Sequence, residues 1–64
     1  MANEIVKVIE NKEDGLHCNI AVADKGGFNV VFIDTDANQM IGGTCGVKTI
    51  EKAIEIANEY LGIN

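Results

Sequence analysis

The chain has 64 residues, ten acids against five lysines, no arginine, no proline and no tryptophan, for a net charge of −5. At this length residues 1–64 form one domain, which buries only about 60% of the surface its unfolded chain exposes and is too small for a complete nucleotide-binding α/β enzyme. Apolar runs of four residues or fewer fall far short of the roughly 20 that a membrane helix needs.

The N-terminus mixes acids with strand-like alternation and carries no signal or transit peptide pattern, so the expected compartment is the cytoplasm. Two cysteines do not make a disulfide framework. The charge argues against nucleic acid as a direct partner. Lys7, Lys12, Lys25, Lys48 and Lys52 are scattered, whereas backbone phosphates call for clustered Lys and Arg. An acidic protein is better suited to a basic partner.

Residues 4–10 alternate and are rich in Ile and Val, as a strand does. Residues 11–15 (NKEDG) form a polar turn ending in the Asp-Gly signal of a hairpin. The clearest strand is 16–23, with Leu16, Cys18, Ile20 and Val22 on one face and His17, Asn19, Ala21 and Ala23 on the other. Residues 24–27 (DKGG) make a second hairpin turn. The strand 28–34 is apolar on both faces, Phe28, Val30 and Phe32 against Val31 and Ile33, which predicts a central strand covered on both sides. A turn at 35–38 leads to a short, glycine-weakened edge strand at 39–44.

A helix is expected from Lys48 or Thr49 to about Leu61. Thr49 suits the N-cap and Gly62 the C-terminal stop. Ile50, Ala53, Ile54, Ala57, Tyr60 and Leu61 make an apolar stripe at helical spacing. The expected fold class is α+β: an antiparallel meander of three to four strands followed by one C-terminal helix packed on one face.

One helix covers one face of a sheet. The other face would carry Val31 and Ile33, Ala21, and either Ile5 and Ile9 or Val6 and Val8. Such an apolar patch marks a homodimer or partner interface.

Most motifs that suggest chemistry fail on spacing. Residues 42–49 (GGTCGVKT) approach the phosphate-cradling G-x-x-x-x-G-K-[ST] loop, but Val47 stands where the second glycine must curl the backbone. FNVVFIDTDANQ resembles the strand and Asp-Thr-Asp segment of ParA-type ATPases, with the segments in a different order and spacing. A candidate anion site survives at the helix start, made of Gly42, Gly43, Gly46, Lys48 and Thr49; it gives the alternative reading of this chain as a small-ligand or anion binder. Asp34, Asp36 and Asn38 fit half a calcium loop, but its sixth and twelfth positions are Gln39 and Cys45. His17, Cys18 and Cys45 lack metal-ligand spacing, and no base stands beside a nucleophile. Neither a catalytic residue, nor a metal site, nor a cofactor is therefore assigned, and the chain is expected not to be an enzyme.

The helix is more informative. Glu51, Glu55 and Glu59 lie at i, i+4 and i+8, where like charges repel by roughly 0.2–0.5 kcal/mol per pair. Glu59 also sits in the last turn, where the helix dipole prefers cations. This stripe is either a solvated, solubility-conferring face or a docking stripe for a basic protein.

Residues 27–61 resemble the N-terminal domain of HicB-type antitoxins. Gly27, Phe28, Val30, Phe32 and Asp34 match that family's Gly-aromatic-x-Val-x-Phe-x-Asp strand. Thr49, Glu51, Ala53, Ile54, Ala57 and Leu61 match its T-x-E-E-A-hydrophobic helix opening and the turns after it. The family's Pro-Asp-Leu-Pro-Gly turn is missing, and the interval from Asp34 to Thr49 is longer. The resemblance implies a β-β-β-α fold that binds a small basic ribonuclease toxin and oligomerises. Together these readings give a small acidic interaction module, a regulator or inhibitor of a basic protein, with Glu51, Glu55, Glu59, Val31 and Ile33 as its contact residues.

Overall fold

A computed structural model describes residues 4–63. Four strands, β1 (Glu4–Asn11), β2 (Leu16–Val22), β3 (Phe28–Asp34) and β4 (Gln39–Val47), precede one helix, α1 (Ile50–Leu61). All neighbours are antiparallel, in the order β1-β2-β3-β4. The α+β meander with a C-terminal helix is the architecture that the alternation and the short connections predict.

Each connection has a local cause. In the first hairpin Asn11 and Asp14 exchange hydrogen bonds, Asn11 Nδ2 donating to Asp14 Oδ2 at 3.1 Å and the Asp14 amide donating to Asn11 Oδ1 at 3.3 Å. The second hairpin closes through Gly27, at φ 79°, whose carbonyl accepts from Ala23 N at 3.1 Å. A side chain there would bring its Cβ within 2.8 Å of the Val47 carbonyl oxygen, so glycine is required twice over. In the third turn Asp34 Oδ1 accepts from the amides of Asp36 and Ala37, at 3.1 and 3.2 Å. This Asx turn spends the first carboxylate of the half calcium loop on the backbone.

The core lies between the helix and one face of the sheet. Cys18, Ile20, Val30, Phe32 and Val47 form its floor, and Ala53, Ala57 and Leu61 its roof. Ala53 and Ala57 have no exposed surface, and their small side chains let the helix axis approach the sheet closely. Ile50, Ile54, Ile56 and Ile63 flank that contact. Thr49 caps α1, its Oγ1 accepting from Lys52 N at 3.1 Å, and Gly62 ends it in the left-handed conformation at φ 73°. A long-range contact fixes the helix end: Asn11 Nδ2 donates to the Leu61 carbonyl at 2.6 Å, satisfying a helix-terminal acceptor from the first hairpin.

Several boundaries and faces differ from expectation. β1 runs on to Asn11, β2 stops at Val22, and β4 continues to Val47 rather than ending at Thr44. The extension arises because Val47 pairs with Phe28 and packs into the core. In β1 the register shifts between Ile5 and Lys7, so Val6 is an extra residue and the alternation changes phase. The open face therefore carries Ile5 and Val8, opposite Ala21 and Asn19, while Ile9 turns to the helix side opposite Cys18. Neither predicted pair, Ile5 with Ile9 or Val6 with Val8, shares that face. β3 is an inner strand, but among the described residues only one of its sides is covered, by α1. Tyr60, expected in the apolar stripe, is 48% exposed, and Ile56 packs against the core in its stead.

Candidate functional site

Among the described residues the sheet face opposite α1 is an uncovered apolar surface. Strand register places Ile5 and Val8 of β1, Ala21 of β2, Val31 and Ile33 of β3 and Met40 of β4 on it. Val31 lies between Asn19 and Gly43, and Ile33 between His17 and Met40. Both are half-buried by these neighbours. The rim is more open: Ile5 is 53% exposed, Val8 52% and Met40 67%. Gly43 admits no side chain, since its Cβ would come within 2.8 Å of the Val30 carbonyl oxygen. The bare backbone there leaves a shallow groove whose lining includes Asn29, Val31, Met40 and Cys45.

The charge distribution sets this face apart. Among its paired residues Glu10, opposite His17, is the one acid, and no lysine stands among them. His17 is half-buried and shares a 2.7 Å hydrogen bond between its Nδ1 and Thr35 Oγ1. The acid excess of the chain sits on the turns, the strand ends and the helix.

On the outer side of α1, Glu51, Glu55 and Glu59 are all exposed. Lys52 Nζ stands 3.6 Å from Glu55 Oε1, with both side chains more than half exposed, a geometry that contributes little to stability. Among the described residues neither Glu51 nor Glu59 has a cation partner, and the last turn holds no basic residue. The three glutamates predicted from spacing are therefore exposed together on the helix, with Lys52 beside Glu55.

The glycine segment is distributed differently. Gly42 and Gly43 are strand residues, paired with Phe32 and Val31. Gly46, at φ 73°, is also a β4 residue, and the Thr49 hydroxyl is engaged as the cap. Of the five residues of the candidate anion site, Gly42, Gly43 and Gly46 run along β4, and only Lys48 and Thr49 lie between that strand and the helix. Cys45 is likewise a β4 residue rather than part of a loop. Among the described residues no three His, Cys, Asp or Glu side chains gather as a metal site, and no helix is long and apolar enough to cross a membrane.

The two thiols differ sharply. Cys18 is buried and Cys45 exposed. Burial pushes the Cys18 thiol up to about 11 from 9.0, while a hydrogen bond with the Val31 backbone pulls the other way. In the folded protein at pH 8 one equivalent of a thiol-specific disulfide reagent is expected to react rapidly, at Cys45. The second equivalent should be consumed only in denaturant. Because the folded pKa lies above the unfolded one, the linked stability is fully present below pH 9 and is lost as pH rises towards 11. Denaturant midpoints measured across that window should fall less steeply in Cys18→Ala than in the parent. Equal slopes would remove Cys18 as a source of the alkaline loss.

A cleft that residue spacing does not foretell opens between the C-terminal half of α1 and β4. It is lined by Phe32, Gly43, Thr44, Ile56, Glu59 and Tyr60. The Tyr60 ring stacks on Phe32 with centroids 3.9 Å apart and planes at 13°. Gly42 lies beneath this pair, a Cβ there falling 3.9 Å from the Tyr60 hydroxyl. Helical periodicity alone groups Tyr60 with the core stripe, so no signal in the residue pattern points to this cleft.

No family model, curated protein or solved structure matches this chain. Its surface chemistry is therefore the guide to what it does.

Proposed function

We propose that this chain is a small acidic protein-interaction module. It forms a homodimer through the open sheet face and presents the acidic helix to a basic partner protein, as a regulator or inhibitor does. The observation that carries this reading is the uncovered apolar face with its charges displaced to the periphery. Strands of seven to nine residues at about 3.3 Å per residue, four of them about 4.8 Å apart, make a face roughly 25 Å long and 19 Å wide. Two such faces bury on the order of 1,000 Å², the lower bound for a specific interface. Stacked sheets lie about 10 Å apart, so the two helices would point outward and their acidic stripes would face solvent rather than each other.

An antitoxin-like or phage-type inhibitor is one form of this reading, and the resemblance of residues 27–61 to HicB-type antitoxins supports it. It assigns the chain no catalytic role, no cofactor and no direct nucleic-acid or membrane contact. It also places the chain in the cytoplasm, a compartment that keeps thiols such as Cys18 and Cys45 free.

The product of a neighbouring gene, if basic, is the partner to test. Replacing Glu51, Glu55 and Glu59 together by Gln is expected to weaken its binding about tenfold at low salt, as three rim charges at roughly 0.5 kcal/mol each would. The same change should flatten the salt dependence. Binding that keeps both its affinity and its salt slope would remove the stripe from the interface.

A further inference from the structure

We infer that the cleft between α1 and β4 seats an arginine side chain of the basic partner, held between the Tyr60 ring and the Glu59 carboxylate. This inference rests on the basic-partner reading and names the contact within it.

Three observations converge on a planar cation. The first is the rigidity of Tyr60. Its ring is stacked on Phe32, so one face is fixed against the protein, and the residue remains half exposed. A fixed aromatic ring with a free face attracts a cation through its quadrupole, and guanidinium groups stack on such rings more readily than ammonium groups. The second is Glu59. It lines the same cleft, has no cation among the described residues, and stands in the last helical turn, where carbonyl dipoles add to the negative potential. The third is shape. The cleft measures about 420 Å³, within the range of small-molecule pockets, but it lies open along β4. A side chain laid across it from a neighbouring protein fits that form better than an enclosed ligand. Gly42, where a Cβ would fall 3.9 Å from the Tyr60 hydroxyl, puts no side chain beneath the Tyr60–Phe32 pair, and Ile56 offers an apolar wall to the methylene stem of the guest.

Among the described residues no cation of the protein itself pairs with Glu59. Among the described residues the lysine nearest in the helix, Lys52, stands with Glu55, a turn before Glu59.

The test uses the intact protein and three blocked tripeptides, Gly-Arg-Gly, Gly-Lys-Gly and Gly-Gln-Gly, followed by amide and aromatic NMR shifts. The arginine peptide is expected to move the Tyr60 ring resonances and the amides of Gly43, Thr44 and Glu59. The lysine peptide should do so more weakly and the glutamine peptide not at all. Tyr60→Leu, which keeps the apolar packing without the aromatic ring, should weaken the arginine peptide about two- to fivefold. Glu59→Gln should weaken it about twofold or more. Circular dichroism on each variant separates lost binding from lost fold, and Tyr60→Phe, which keeps the ring, should bind as the parent does. Shifts confined to Glu51 and Glu55 would overturn the cleft while leaving the acidic helix as a docking stripe. Arginine shifts that persist unchanged in Tyr60→Leu and Glu59→Gln, or that never appear, would overturn it as well. The double variant Glu51→Gln with Glu55→Gln, which leaves the cleft intact, decides the broader reading independently when tested against the intact partner.

Discussion

Ile20→Ala is expected to leave the chain largely unfolded at 25 °C. Ile20 is fully buried, sits on β2 between Lys7 and Val30 in register, and faces the underside of the helix. Removing its branched side chain loses transfer free energy and opens a cavity beneath Ala53 and Ala57, which are too small to fill it. Such substitutions cost about 2–5 kcal/mol. A single core of this size supplies only about 3–5 kcal/mol of net stability, so one substitution can consume all of it. Far-ultraviolet circular dichroism and urea unfolding check the result. Ile20→Val, which removes one methyl, should cost about 0.5–1.5 kcal/mol and remain folded. A midpoint for Ile20→Ala within experimental error of the parent would mean that the helix is not docked on this face of the sheet. If the dimer contributes to stability, the midpoint will also rise with protein concentration.

The second large effect concerns the open face. Val31→Asp should convert the proposed dimer into a monomer of 6.9 kDa over the micromolar range in sedimentation equilibrium. Val31 is at the middle of the apolar patch, between Asn19 and Gly43. In the proposed dimer a carboxylate there would meet the apolar surface of the second copy with no cation opposite. An unpaired buried charge costs several kcal/mol, which corresponds to at least about a hundredfold in the dimer dissociation constant. Because Val31 is half-buried in the monomer, Val8→Asp serves as a second variant. Val8 is 52% exposed on an edge strand, so its replacement should hardly disturb the fold, yet it should weaken self-association in the same direction. A parent protein that stays monomeric at millimolar concentration would sink the homodimer. Variants that dimerise as tightly as the parent would move the interface off this face.

The two surfaces suggest a division of labour. The sheet face is apolar and nearly uncharged, and suits a geometrically matched copy. The helix face is acidic and exposed, and suits recognition governed by charge and therefore by ionic strength. In the proposed dimer the chain would cover the sheet face that α1 leaves open and gain stability from that contact. It retains the second surface for function, provided the dimer leaves the helices outward.

Much of this was legible in the residues alone. Strict alternation in Leu16, Cys18, Ile20 and Val22 assigned the faces of β2, because side chains on a strand must point to opposite sides in turn. Thr49 and Gly62 marked the helix ends, since a hydroxyl can cap free amides and glycine tolerates the left-handed stop. The spacing of Glu51, Glu55 and Glu59 placed them on one exposed side, and the count of one helix against two sheet faces left an apolar surface over. Tertiary structure decided the rest. The extra residue at Val6 reverses the alternation of β1, and only pairing with β2 reveals it, because a bulge is a property of two strands. The length of β4 depends on Val47 finding Phe28 across the sheet. Asn11 acquires its role from a helix end fifty residues away. Tyr60 matches the periodicity of a core position, but its ring stays half exposed, stacked on that of Phe32. It lies against that ring at the margin, and the cleft that results belongs to the packing of two elements rather than to either sequence.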